Sequence, residues 1–476
     1  MERCKKCGYN KSFDDADEPT NLQCPNCGNF DTYTYGKFII KSPKAYRANF
    51  LLGADNRDEA DFVTNRPPIY ADRSTEDDAN RDAKNVANTR IIISDKDVTW
   101  RINTNGDKFY LGSYYEIKNY NPETHKVSTF RNQWIQDGFV PPGIGSNNPF
   151  INEDRYSIEF ANRIQEQPLA LAINKKTEIL KFHPTSVPME LNLDMFNLKD
   201  NPNYFERQSL GVRAGFYSSA FLLQRVLADT LDVDPTEIEI ADITKLEIDD
   251  IIKKNVAEII LTDELPNGSG FVRKLYDEFE TLLDEALEPR SVGTYIKRIH
   301  SDEHERRCKD ACYDCLKVYR NMNWHSLLDW RLGLGILRIF KDKNYKSGAD
   351  GIFNEIEIKN WLAFATTLRD QFVESFFVKT EHPKVEYLID FNGLPAIKHG
   401  AAKNGRRKII LIVHPFWKLE NPEEDAWYTN RVSEAHQYIL SKGGNIENEF
   451  ECLDTFNLQR RIGWCFEKII NKRFRS

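Results

Sequence analysis

The sequence predicts an α+β protein of several domains: a small cysteine-rich ribbon, a β-rich and irregular region, a mainly helical central domain and an α/β carboxy-terminal domain. Three observations lead there. The chain has 476 residues, 40% of them hydrophobic, enough for more than one apolar core. Seven of the nine cysteines fall into two tight clusters far apart in the chain. The apolar period also changes along the sequence, from two before Leu210 to three-and-four after it, and becomes mixed beyond Asp350. The expected boundaries are 1–36, 37–205, 206–345 and 346–476.

The first element is Cys4-x2-Cys7-x16-Cys24-x2-Cys27, with Gly8 and Gly28 following the two pairs. Each Cys-x-x-Cys-Gly suits a tight knuckle whose amides point at sulfur, and four thiolates satisfy tetrahedral Zn²⁺ with no position left for water. A closed structural zinc ribbon is expected. A redox role would need a thioredoxin-like βαβ unit around one pair, and none is visible. The next 170 residues read as β-rich: "YTYGKFIIK" alternates, as do "TRIIISDKDVTWRI" and "DKFYLGSYYEI", while the charged, Asn- and Pro-rich stretch from Asp55 to Arg90 reads as an extended connection.

From Leu210 the pattern is helical. Phe216, Ala220, Leu223, Val226, Leu227 and Leu231 recur at spacings of three and four, Pro235 marks the stop, and "EIEIADI" follows as a strand. "AEIILTDELPNGSGFVRKLYDEFETLLDEAL" reads as a strand, a turn at Pro266 to Gly270, and one long amphipathic helix. That turn could hold a phosphate on free amides or be only a tight strand-to-helix connection, and it lacks the Lys-Ser/Thr of a Walker loop. Then comes the second cluster, Cys308-x3-Cys312-x2-Cys315. Three thiols need a fourth ligand, and His304 stands one helical turn before Cys308, with His300 and His325 as competitors. A catalytic cysteine would need a partner base and a cleft, and nothing nearby suggests either. A second structural zinc is expected, set between the preceding helix and the helix of "NWHSLLDWRLGLGILRIF".

The last part combines a helix ("EIKNWLAFATTLRDQFVESF"), a hairpin ("KVEYLIDFNGLPAIKHG") and a buried strand ("RRKIILIVHPFW"). The net charge of −8 argues against a freestanding, sequence-indifferent nucleic-acid binder. A local basic face remains open at Arg406, Arg407, Lys408, Arg460 and Arg461, and the 12% aromatic content is compatible with stacking on bases. A metal-dependent nuclease site would need two carboxylates and a Lys. Asp350 with Glu357-Ile-Lys359 has the residue types but reads as a helix start, and Asp390 with Lys398 has Ala396 where the second carboxylate belongs. The chain opens with charge, its longest aliphatic runs are strand-sized, and a cytoplasmic protein with no membrane association is expected.

Three stretches, "FYSSAFLLQRVLADTLDVDPTEIEI", "EIILTDELPNGSGF" and "CKDACYDCLKVYRNMNWHSLLDWRLGL", together resemble the zinc-binding domain found at the carboxy terminus of MrfA-type DNA helicases. Among stand-alone members the resemblance is to the DrmB-like helicase partners of the DISARM anti-phage system. It covers about Leu210 to Phe340 and places Cys308, Cys312 and Cys315 on the family's metal-binding cysteines. Helicase-fused relatives carry a fourth Cys just before these, which this chain lacks. The resemblance implies a non-catalytic accessory subunit of a separate superfamily 2 helicase (DrmA-like), acting in defence against phage DNA and meeting DNA through the complex. The absence of Gly-x4-Gly-Lys-Ser/Thr accords with a motor on another chain.

Overall fold

The computed structural model describes residues 81–94, 171–195, 209–249, 253–265, 268–288, 295–378, 387–400, 407–419, 423–424 and 426–470. Of residues 171–176, and of short strand segments elsewhere between residues 2 and 169, it describes the backbone alone. The chain divides into two units, residues 1–78 with 97–176, and residues 79–96 with 177–476. In the first unit, Glu2–Cys4 pairs antiparallel with both Asn10–Lys11 and Thr32–Thr34. Val98–Asn103 lies between Leu171–Lys176 and Ile69–Ala71. Tyr110–Lys118 pairs with Asn132–Gln136 and Ile164–Leu169. The side chains of Cys4, Cys7, Cys24 and Cys27 lie outside the described residues.

The second unit is built on a five-stranded antiparallel sheet. Its strands are β1 (Arg81–Val86), β2 (Thr89–Ser94), β3 (Ile179–Pro184), β4 (Ile238–Asp249) and β5 (Lys253–Asp263), in the order β4-β5-β3-β2-β1. Part of the stretch expected to be an extended connection is thus β1, and the central β3 lies in the β-rich region but outside the stretches whose alternation marks them as strands. The pairing joins residues 81–94 to 179–184 across a long separation, which local periodicity does not report. The β1–β2 turn is tied down by Asn88, whose amide group donates to the Ser186 and Ile339 carbonyls, both at 2.8 Å.

Helix α1 (Leu210–Leu231) is apolar on nearly every side and buried accordingly, from Leu210 through Ala228. It ends where Asp232 turns left-handed at φ 55°, and the Asp234 carboxylate accepts from Thr236 N at 2.8 Å to start the turn into β4. The expected long helix after β5 is two: α2 (Phe271–Asp277) and α3 (Phe279–Leu287), broken at Glu278. The Gly-rich turn before α2 does not offer free amides. The buried Asp263 carboxylate takes the N–H groups of Ser269 (2.6 Å), Gly270 (2.7 Å) and Val272 (3.0 Å), so the chain's own anion fills the position a phosphate would take.

Two short helices, α4 (Tyr295–Ile299) and α5 (Asp302–Arg307), lead to the cysteines. Helix α6 (Trp330–Lys341) follows them, capped by Asp329, which accepts from Arg331 N and Leu332 N. It crosses α1 closely: a Cβ on Gly333 would come 2.8 Å from Ser218 Cβ and 3.0 Å from its carbonyl carbon, so only glycine permits this approach. Phe182 of β3 packs edge-on against Phe279 and Phe340 at 5.4 and 5.5 Å, joining sheet and helices in one core.

The carboxy-terminal sheet contains β6 (Leu388–Phe391), β7 (Leu394–Gly400), β8 (Arg407–Val413) and β9 (Phe450–Asp454) in that order. The first three form an antiparallel meander, and β9 runs parallel to β8. The β6–β7 turn is Asn392-Gly393 with φ 50° and 90°, the two-residue turn such a hairpin favours. Around it lie α7 (Trp361–Val373), α8 (Trp427–Ser441), α9 (Thr455–Arg460) and α10 (Ile462–Ile470). This sheet is continuous with the central helices: Cβ positions at Gly211 and Gly215 would fall against Pro415 and Phe416. No helix among the described residues is long and apolar enough to cross a membrane.

Candidate metal centre

The site begins with a helix start. Ser301 caps α5 by accepting from His304 N at 3.2 Å, and acidic Asp302, Glu303 and Glu305 suit the positive end of that short helix. One turn later Cys308 N donates to His304 O at 2.7 Å, which stacks the two side chains on one face. The chain then doubles back in a knuckle: Cys315 N donates to Cys312 O at 3.2 Å and Lys317 N to the same oxygen at 2.9 Å. Cys312 N points at Cys315 Sγ, 3.0 Å away, the amide-to-sulfur approach expected of a thiolate.

The ligand atoms of His304, Cys308, Cys312 and Cys315 lie within 4.8 Å of one another. Cys308 and Cys315 sulfurs are 3.8 Å apart, Cys312 and Cys315 3.6 Å, and Cys312 Sγ stands 3.6 Å from His304 Nε2. All three thiols are free, and these separations are far beyond the roughly 2.05 Å of a disulfide. Zn–S bonds of about 2.3 Å and Zn–N bonds of about 2.0–2.1 Å at tetrahedral angles give ligand edges of about 3.8 Å for S···S and about 3.5 Å for S···N. The residues therefore fit a tetrahedral S₃N zinc.

The tautomer agrees. His304 Nδ1 lies 3.1 Å from the Ile299 carbonyl, which can only accept, so Nδ1 carries the hydrogen and Nε2 presents its lone pair to the cluster. The competing histidines are occupied elsewhere. His300 Nε2 bonds to Ala286 O at 3.0 Å, and His325 Nε2 bonds to Val318 O and Asn321 Oδ1 at 3.0 and 2.9 Å.

Cys308 and Cys312 do not favour ionisation unaided. Hydrogen bonding to Cys315 and then burial push the Cys308 thiol up, and burial first of all raises Cys312. A pocket that resists thiolates by itself accepts them when a dication is present. His304, Cys308 and Cys315 are buried, and with four protein ligands the ion keeps no open position. Zinc bound here supplies a cross-link between the α5 end and the knuckle.

What holds the knuckle to the fold was not legible from cysteine spacing. Tyr295 OH donates to Cys315 O at 2.7 Å, and Trp330 Nε1 donates to Cys308 O at 3.2 Å. Arg331 donates to Lys309 O at 3.0 Å while lying 4.4 Å from the Trp330 ring centre. The stretch "LLDWRLG" carries the signal: Asp329 caps α6, and Trp330 and Arg331 reach the cysteine loop.

The described side chains among the basic candidates, Lys408, Arg460 and Arg461, do not form one exposed face. Arg406 lies outside the described residues, and Arg407 is described only by its backbone in β8. Lys408 is buried, its ammonium donating to the Lys468 and Ile469 carbonyls at 3.3 Å each. Arg460 faces inward: it donates to Leu328 O at 2.8 Å and Ser326 O at 3.2 Å and pairs with Asp310 at 3.0 Å. Arg461 is half-buried at the end of α9.

The carboxylates considered for cleavage are also separated in role. Glu357 is buried against Arg338 at 2.8 and 3.4 Å, and Lys359 pairs with Glu305 at 3.2 Å. Asp390 is exposed on β6, while Ala396 is fully buried on β7.

The family model of the MrfA Zn-binding domain matches residues 219–316, a span that includes all four ligands. No curated protein matches the chain. A solved structure described as the crystal structure of DUF1998 helicase MrfA bound to DNA shows 11% identity and a TM-score of 0.24, over 54% of this chain and 23% of that one. The chain thus spans under a quarter of that helicase, and the likeness is too loose to bear on the fold. The segment 219–316, which contains the His304-Cys308-Cys312-Cys315 cluster, is thus similar to the MrfA Zn-binding domain, and the cluster supports zinc binding.

Proposed function

We propose that this chain is a non-catalytic accessory subunit that binds a separate superfamily 2 helicase, DrmA-like in kind, and assists its engagement of foreign DNA in bacterial anti-phage defence. The observation that carries the reading is the MrfA-type domain with its closed S₃N centre. A fully ligated, buried metal suits a clamp for presenting surfaces to a partner. The sequence holds no Walker loop, so ATP-driven movement would come from the partner. A second structural zinc at Cys4, Cys7, Cys24 and Cys27 belongs to the same reading.

The engagement of Glu357 by Arg338 and the burial of Ala396 beside Asp390 weigh against a two-carboxylate nuclease site. Co-purification with a co-expressed DrmA-like helicase, followed by DNA-stimulated ATPase assays with and without this chain, tests the proposal. A stable complex and a several-fold change in ATPase rate are expected. No complex and no change would contradict it, and Mg²⁺-dependent DNA cleavage by the purified chain would support the nuclease alternative.

A further inference from the structure

Two aromatic rings stand out on the knuckle itself. Tyr313, between the ligands Cys312 and Cys315, is 68% exposed, and Tyr319, four residues after Cys315, is 74% exposed. They are the most open of the large hydrophobic side chains among the described residues; the others that are exposed are aliphatic and scattered over other elements. Neither ring is on a loose segment. Tyr313 leans edge-on against His325 at 5.8 Å, and His325 is itself bonded to Val318 O, the residue before Tyr319. The turn that carries Tyr319 is fixed at its far end by Trp324, stacked on Tyr217 of α1 at 4.0 Å.

Charge around the rings is mostly positive. Lys309 and Arg320 are exposed and Lys317 is half-exposed, and none of the three makes an ion pair among the described residues. Of the nearby carboxylates, Asp310 is already paired with Arg460 and Asp234 lies within electrostatic reach of Arg320, which leaves Asp314. Preorganised, solvent-facing aromatics ringed by cations are what a single strand requires: base faces stack on the rings and phosphates meet the cations, with no sequence readout. An aliphatic-rich protein interface would instead place Leu, Ile or Val beside the rings, and the residues between them are Asp314, buried Cys315 and Leu316, Lys317 and half-buried Val318.

We propose that Tyr313 and Tyr319, with Lys309, Lys317 and Arg320, form a stacking platform for single-stranded nucleic acid on the zinc knuckle. The inference rests on the reading above that the chain works on DNA, and it names the surface that does so directly.

The test uses the zinc-loaded full chain, a fluorescein-labelled oligodeoxythymidylate of about 20 nucleotides, and fluorescence anisotropy. Replacing both tyrosines, Tyr313→Ala/Tyr319→Ala, should weaken binding by roughly tenfold or more per ring at unchanged zinc content. Tyr313→Phe/Tyr319→Phe should retain it, and a duplex of equal length should bind more weakly. Lys317→Glu/Arg320→Glu should weaken binding and flatten its salt dependence by about 0.7 log–log units for each phosphate no longer neutralised.

Wild-type binding that is undetectable, or unchanged in the double-Ala protein, overturns the platform. So does a double-Ala protein that binds the oligonucleotide normally but no longer co-purifies with the helicase, which would assign the patch to a protein partner. Helicase co-purification with no oligonucleotide binding would leave the accessory role standing while the platform fails; loss of both would remove both.

Discussion

At the scale of single residues, two histidines define the chemistry. His304 is legible from sequence because one helical turn separates it from Cys308, yet spacing alone left His300 and His325 as rivals. Only the tertiary bonds of those two to Ala286 and to Val318 and Asn321 decide the matter. His304→Ala should therefore lower zinc retention against a chelator, His304→Cys should restore it as an S₄ site, and His300→Ala and His325→Ala should leave it unchanged, all read by chelator-release kinetics.

His414 is the opposite case, a histidine with no sequence signal that is buried among Trp361, Phe416 and Trp417. Burial pushes its pKa down from 6.5 to about 3. Between those values the unfolded state binds the extra proton, so stability is lost as pH falls through the window. His414→Gln, which keeps an acceptor for Phe416 N, should lack this loss. Denaturant titrations should find the wild type losing about 2 kcal/mol more than the variant between pH 7.5 and 5. Equal losses would place a charged or solvated ring there.

At the scale of elements, the cysteine loop is held from three directions, by α4 through Tyr295, by α6 through Trp330 and Arg331, and by α9 through Arg460. Sequence located α1 and α6 well, because a helix packed on most sides must be apolar on most sides. It did not show which way Lys408 and Arg460 turn, since a cation turned toward backbone carbonyls and one turned toward solvent are the same letter in the sequence. Arg460 joins a late helix to the knuckle through two carbonyls and Asp310. Arg460→Ala should destabilise the chain by about 2 kcal/mol and speed zinc release, and Arg460→Lys should rescue little, because one ammonium cannot span three acceptors fixed for a planar fork. Wild-type stability in Arg460→Ala, measured by urea unfolding, would show the bridge to be incidental.

At the scale of the whole molecule, the central helices and the carboxy-terminal sheet belong to one compact unit that also takes in residues 79–96. The hairpin at Asn392-Gly393 and the buried strand Arg407–Val413 were readable because their signals are local. The β2–β3 pairing was not, because register between segments some 90 residues apart is set by the packed core rather than by either segment alone. The Gly-rich turn fails for a local reason instead: its amides look available until Asp263, a few residues upstream at the end of β5, turns its carboxylate into them. The zinc-binding reading as a whole depends on the knuckle's closing on a metal ion. Its most direct test is elemental analysis of a chain with Cys4, Cys7, Cys24 and Cys27 replaced by Ser, compared with the same chain carrying Cys312→Ser/Cys315→Ser as well. One equivalent of zinc in the first and almost none in the second is the predicted result; no zinc in the first, or a full equivalent surviving in the second, would contradict it.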